Sequence, residues 1–163
     1  MKNIHWKKHF LGSTYELYSE NIPIGTLKDK FFSQSSYGEI NGTKVEFRTK
    51  GFLRQETLII DPEKETVIGR ITYNGWMTKG RIELRGNNFD WRFNNAWNTR
   101  WSVSNTEKRN INYRCKTTRG NIEVGIDDDI LALSGLYIHN YNSQITATAL
   151  IVVFIPVWIA ALN

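Results

Sequence analysis

Apolar and polar positions alternate with a period of two along most of the first 126 residues. The clearest case is 57–73, where two alternating runs, 57–61 and 66–73, flank a polar connection that begins with Pro62. This predicts a hairpin with a short loop. Val67, Gly69, Ile71 and Tyr73 fall on one face, and Ile68, Arg70 and Thr72 on the other. Further on, Ile82 and Leu84 alternate with Arg81, Glu83 and Arg85, and Phe89, Trp91 and Phe93 with Asp90 and Arg92. Trp101 and Val103, then Ile111, Tyr113 and Cys115, then Ile122, Val124 and Ile126 follow the same rule. Upstream the pattern is weaker, at 15–18, 22–27, 43–48 and 52–54. One apolar face at period two predicts antiparallel strands with a single buried side, about eleven or twelve of them. Before Asp127 there is no helical period, and no internal repeat is expected beyond the strand rhythm.

The period changes at the C-terminal end. Asp127, Asp128 and Asp129 precede an apolar run that starts at Ile130. Acidic residues suit a helix N-terminus, where they meet unpaired N–H groups and the positive end of the dipole. The small residues Ser134 and Gly135 permit close approach of neighbours. His139, Asn140, Tyr141 and Asn142 read as a polar break, and 145–162 is then apolar apart from Thr146 and Thr148, with Pro156 inside. The 21 basic and 16 acidic residues all lie in the first 129 positions.

A closed sheet of about twelve strands is too wide to fill with its own side chains, since about eight is the self-filling size. The inward positions are apolar, so the lumen needs an apolar plug, and a helix apolar all round needs complete enclosure. A helix over 128–141 spans about 20 Å, close to the height of a tilted seven-residue strand, roughly 18 Å. The predicted fold is mainly β: a closed antiparallel barrel of about twelve strands around a central hydrophobic C-terminal helix. The barrel occupies 1–141 with its plug helix at 128–141, and 142–163 forms a further apolar helix.

The hairpin 57–73, the expected strands bearing Trp91, Trp97 and Trp101, and the run from Asp127 to Tyr137 together resemble the tubby C-terminal-like superfamily. That superfamily includes phospholipid scramblases and the plant LURP-one-related proteins. The resemblance covers about residues 12–141. It implies a twelve-stranded barrel wrapped around a hydrophobic helix near the C-terminus. The segment 143–162 departs from it. Its apolar stretch of about 27 Å approaches the thickness of a bilayer's hydrocarbon core, and Trp158 lies near one end as an interface aromatic does. A C-terminal membrane anchor is the expectation, although no Lys or Arg flanks the segment. The alternative makes this segment the barrel core and turns 127–141 into a last strand plus loop.

Net charge is +5 and the pI about 9.3. That suits an anionic partner such as lipid, or simply a basic soluble surface; no nucleic-acid partner is expected. Cys115 is the only cysteine, which excludes an intrachain disulfide, and its inward phase assigns it to the core. The first residues lack the apolar stretch of a secretory signal, so a cytoplasmic body held at a membrane by its C-terminal helix is expected. Lys44, Arg48 and Lys50 share one phase of a strand and form a cationic stripe. The resemblance implies that basic side chains on the barrel surface hold phosphoinositide headgroups, and this stripe is the candidate. Trp6, Lys7, Lys8 and Phe10 form a second, weaker candidate for a membrane surface. His5 and His9 lack the further ligands of a metal site. The three consecutive aspartates lack the spacing of a calcium loop. No acid, base or nucleophile is grouped, so no cofactor, metal or enzymatic activity is expected. The expected function is a membrane-associated barrel that binds anionic lipid headgroups. The alternatives are a scramblase-like lipid transporter, or a soluble structural or interaction module with both apolar segments buried.

Overall fold

The computed structural model describes residues 2–9, 12–30, 35–51 and 55–161, and from 150 onward the backbone alone. The strands are β1 (Lys2–Lys8), β2 (Thr14–Ser19), β3 (Ile22–Asp29), β4 (Ser35–Ile40), β5 (Thr43–Lys50) and β6 (Glu56–Asp61). They continue with β7 (Thr66–Tyr73), β8 (Lys79–Leu84), β9 (Asn87–Phe93), β10 (Arg100–Ser104), β11 (Asn110–Lys116) and β12 (Arg119–Val124). One helix follows, α1 (Asp129–Ala161). Each strand pairs antiparallel with its sequence neighbours, and β1 pairs with β12, so the sheet closes into a barrel without an edge. The expected strand at 52–54 and the residue Phe10 lie outside the described residues.

The strand that closes the barrel is the N-terminal one. Ile4 and Trp6 are buried while Asn3, His5 and Lys7 point outward. Trp6 therefore belongs to the core and does not face a membrane. Two apolar positions in a seven-residue run are too few to separate a strand from a tail by pattern alone. Ser35–Ile40, also unforeseen, becomes β4 by pairing along both flanks. In β7 the expected phase changes at a bulge: Ile59 faces Gly69 but Ile60 faces Val67, leaving Ile68 as the extra residue. Val67 is consequently 55% exposed, and Ile68 packs against the core instead.

The helix runs through the barrel. Ile130, Leu131, Leu133, Leu136, Tyr137 and Ile138 are each at most 3% exposed. Tyr137 stacks on Phe47 of β5 at 4.6 Å, and His139 stacks on Trp101 of β10 at 4.4 Å. Around the helix, hydroxyls satisfy one another. Thr49 bonds Thr57 at 2.7 Å and Tyr137 at 2.6 Å, and Thr57 bonds Tyr73 at 2.7 Å. Such a set leaves none of these four hydroxyls unpaired.

Because the strands run up and down, their connections alternate between two ends, here termed the base and the mouth. The helix starts at the base. Asp128 is its N-cap, accepting from the Leu131 N–H at 2.9 Å. Asn41 of the β4–β5 turn donates to Asp129 at 2.9 Å. The aspartate run therefore serves as cap and clasp. The polar break expected at 139–142 does not interrupt the helix, because those polar groups find partners at the mouth. Asn140 donates to Asp29 at 2.7 Å and accepts from Lys8 at 3.1 Å. Gln144 donates to the same Asp29 at 2.7 Å. Beyond Asn142, residues 143, 144 and 146–149 are exposed, so the helix leaves the barrel. The plug is thus the first part of α1, and the reading of 127–141 as a strand plus loop does not hold. Among the described residues no helix is long and apolar enough to cross a membrane. The side chains of 150–161 and residues 162–163, which hold most of the expected spanning segment, lie outside the description.

Candidate functional site

Lys44, Arg48 and Lys50 do share the outer face of β5 and are exposed. Glu46 lies between them on that face, and Arg48 bonds it at 2.7 Å. Lys44 pairs with Glu63 at 3.4 Å, and Lys50 sits opposite Glu56 of β6. The stripe is interleaved with carboxylates, which lower its field toward an external anion.

A denser cationic surface lies on β10, β11, β12 and β1. Across these strands Lys116, Arg119 and Lys7 stand in one row, and Arg100, Arg114, Asn121 and His5 in the next. All five Lys and Arg side chains point outward and are exposed. The three strands of the first row span about 10 Å, the width of a small polyanion, and the four of the second about 14 Å. Among the described residues none of the five forms an ion pair, whereas Arg70, Arg81, Arg85 and Arg109 each do. Like charges directly opposite each other on neighbouring strands are destabilising, and here Lys116 faces Arg119, Arg119 faces Lys7, and Arg100 faces Arg114. The surface is also concave. Two adjoining depressions of about 370 and 440 Å³ share Arg114 and Asn121. Glu123 is the carboxylate lining the first, one row nearer the base. Lys7, Arg100, Lys116 and Arg119 occupy strand ends at the mouth. Sequence reading missed the surface because its residues are scattered over more than a hundred positions and meet only through barrel closure.

The mouth carries a second feature. The β7–β8 and β9–β10 connections share one order: Asn, any residue, Trp, any residue, Thr, base. It reads Asn74, Trp76, Thr78, Lys79 and then Asn95, Trp97, Thr99, Arg100. This is an internal repeat, contrary to expectation, and it places Trp97 in a loop and not on a strand. Both loops fold alike. Asn74 Oδ1 accepts from the Thr78 and Lys79 N–H groups at 2.8 and 3.1 Å, and Asn95 Oδ1 accepts from Thr99 and Arg100 at 3.0 Å each. Met77 and Asn98 take φ of 55° and 54°. Trp76 is 87% and Trp97 83% exposed.

Other candidates resolve into structure. His5 Nδ1 lies 2.8 Å from Asn121 Oδ1, and His9 is 3.9 Å from Glu16. Cys115 is buried, and burial pushes its thiol up. Among the described residues no group of three His, Cys, Asp or Glu is placed to hold a metal ion. Comparison with protein-family models, with curated proteins and with solved structures finds no match to this chain.

Proposed function

We propose that the protein is a non-enzymatic, membrane-associated barrel of the tubby-like kind that holds anionic lipid headgroups. The observation that carries this reading is the concave surface of Lys7, Arg100, Arg114, Lys116 and Arg119, free of ion pairs among the described residues, at the mouth. The helix leaves by that same end and continues into sequence without a formal charge. A cation near an anionic leaflet contributes about 1 kcal/mol. Phosphate and carboxylate oxygens suit the forked donors of three arginines. The stripe of Lys44, Arg48 and Lys50 is the weaker candidate because of its carboxylates.

The full chain is expected to bind vesicles of phosphatidylcholine with phosphatidylserine more tightly than phosphatidylcholine alone. Replacing Arg114, Lys116 and Arg119 by Gln removes about 3 kcal/mol, roughly a hundredfold in affinity. The same change at Lys44, Arg48 and Lys50 has a smaller effect. Equal binding to both vesicles refutes the headgroup reading. Recovery of the full chain in the supernatant after alkaline carbonate extraction of membranes refutes the anchor.

A further inference from the structure

We propose that Trp76 and Trp97 form a paired interfacial anchor, which inserts into the headgroup boundary of a lipid bilayer and holds the barrel mouth toward the membrane. This rests on the membrane reading above and adds the surface that makes contact. Five tryptophans have described side chains; Trp6, Trp91 and Trp101 are at most 1% exposed, and the two exposed ones occupy equivalent places in one repeated loop. Isolated exposed aromatics are ordinary. The repetition is what needs a cause, since each indole is held out by the same asparagine bonded to two backbone N–H groups and to a threonine hydroxyl. Asn74 Nδ2 reaches Thr78 Oγ1 at 3.2 Å, and Asn95 Nδ2 reaches Thr99 Oγ1 at 2.7 Å. A loop fastened before contact loses less conformational freedom when its side chain is buried.

Both loops also grip the helix where it leaves. Asn98 donates to Asn142 Oδ1 at 3.2 Å, and Asn142 donates to the Met77 carbonyl at 3.2 Å. The loops that carry the two indoles therefore both touch the helix where it leaves the barrel. Tryptophan suits the lipid–water boundary because its ring is apolar and its N–H is polar. Lys79 and Arg100 end the two repeats and put a cation beside each loop, as an anionic headgroup layer requires. The base is built differently. Its tight turns, Glu20 with Asn21, Asn41 with Gly42, and Arg85 with Gly86, carry no aromatic residue, and the exposed apolar side chains at that end are the aliphatic Ile22 and Val67. We commit to a bilayer as the occupant because it accommodates the indoles and the uncharged continuation of α1 together; a partner protein or a second copy is an outcome of the test.

The test reconstitutes the full chain into phosphatidylcholine and phosphatidylserine vesicles, with and without brominated acyl chains, and follows tryptophan emission. Wild type is compared with a Trp76→Phe, Trp97→Phe double variant and with Trp158→Phe. The expected result is that bromine quenches wild-type emission and that the quenchable part falls markedly in the double variant. Aqueous iodide is expected to leave Trp76 and Trp97 unquenched. Quenching unchanged in the double variant but lost in Trp158→Phe overturns this inference and leaves membrane association standing. Indoles shielded from bromine and iodide alike reveal a protein partner and also overturn it. Absence of quenching in every variant, with the chain recovered free of vesicles, overturns both proposals.

Discussion

Gly135→Ala is expected to destabilise the protein by about 3 kcal/mol or more, the upper range of overpacking changes, although alanine is the better helix former by about 1 kcal/mol. A Cβ at this position collides with the Tyr113 ring, reaching Cε2 at 2.7 Å and coming closer still to Cζ and Oη. The ring has nowhere to move. It stacks on Trp101 at 5.1 Å, and its hydroxyl lies 3.2 Å from the carbonyl oxygens of both Leu131 and Ala132. Trp101 is fixed in turn by donating its indole N–H to the Gly135 carbonyl at 2.8 Å. Relief at one contact breaks another, and each buried hydrogen bond lost adds about 1 kcal/mol. Urea titration followed by near-ultraviolet circular dichroism reads the change. Gly135→Leu is expected to abolish the cooperative transition, and adding Tyr113→Ala to Gly135→Ala to restore part of the lost stability, as coupled neighbours do. An alanine variant as stable as wild type would mean that the helix does not fill the barrel at this level.

Lowering the pH from 6.5 to 4 is expected to remove about 3 kcal/mol of stability through His139 alone, at about 1.4 kcal/mol per pH unit. Burial holds its imidazole down to about 4, with the charge of Lys8 as the second cause. The ring lies between Trp101 and Trp6, and among the described residues its Nδ1 has no hydrogen-bond partner. Above pH 6.5 the residue is neutral in both folded and unfolded chains, and its contribution is fully present. Between 6.5 and 4 the unfolded chain takes up a proton that the folded chain refuses, so stability falls with pH. Below about 4 both forms are protonated and the loss is complete. His139→Phe keeps a flat ring against Trp101 without the titration. The difference between wild-type and variant stabilities across this window isolates His139 from the carboxylates, which are common to both. Parallel pH profiles, or an imidazole whose proton resonances titrate near 6.5, contradict the assignment.

The barrel was legible because burial on a sheet obeys a local rule. Ile82 and Leu84, Ile111 and Tyr113, and Ile122 and Val124 announce their inward face by alternation and are all buried. The plug was legible because a charge-free run after three aspartates has few places to go. Lys2–Lys8 was not legible as a strand, since its two inward residues gain meaning only from pairing with β12 and β2. Ile68 escaped for a related reason. A bulge shifts phase by one residue and is set by the partner strand. The helix continues through 139–142 because Asp29, Lys8, Met77 and Asn98, far off in sequence, satisfy polar side chains that alone look like a terminus. The candidate surface was the least legible part. Lys44, Arg48 and Lys50 are visible as a stripe because they share a strand, but the carboxylates across from them are not.

By itself the order of residues determined the inward face of most strands, a count near twelve, and that the apolar run beginning at Ile130 fills the barrel, because transfer from water depends on composition and local period. Only the tertiary structure decided which cations stand together without ion pairs among the described residues, which end of the cylinder releases the helix, and that the loops bearing Trp76 and Trp97 contact it there. The physical reason is that hydrophobic burial is non-directional and readable one residue at a time. Electrostatic fields and shared surfaces depend on distances between residues that the chain keeps far apart until the barrel closes.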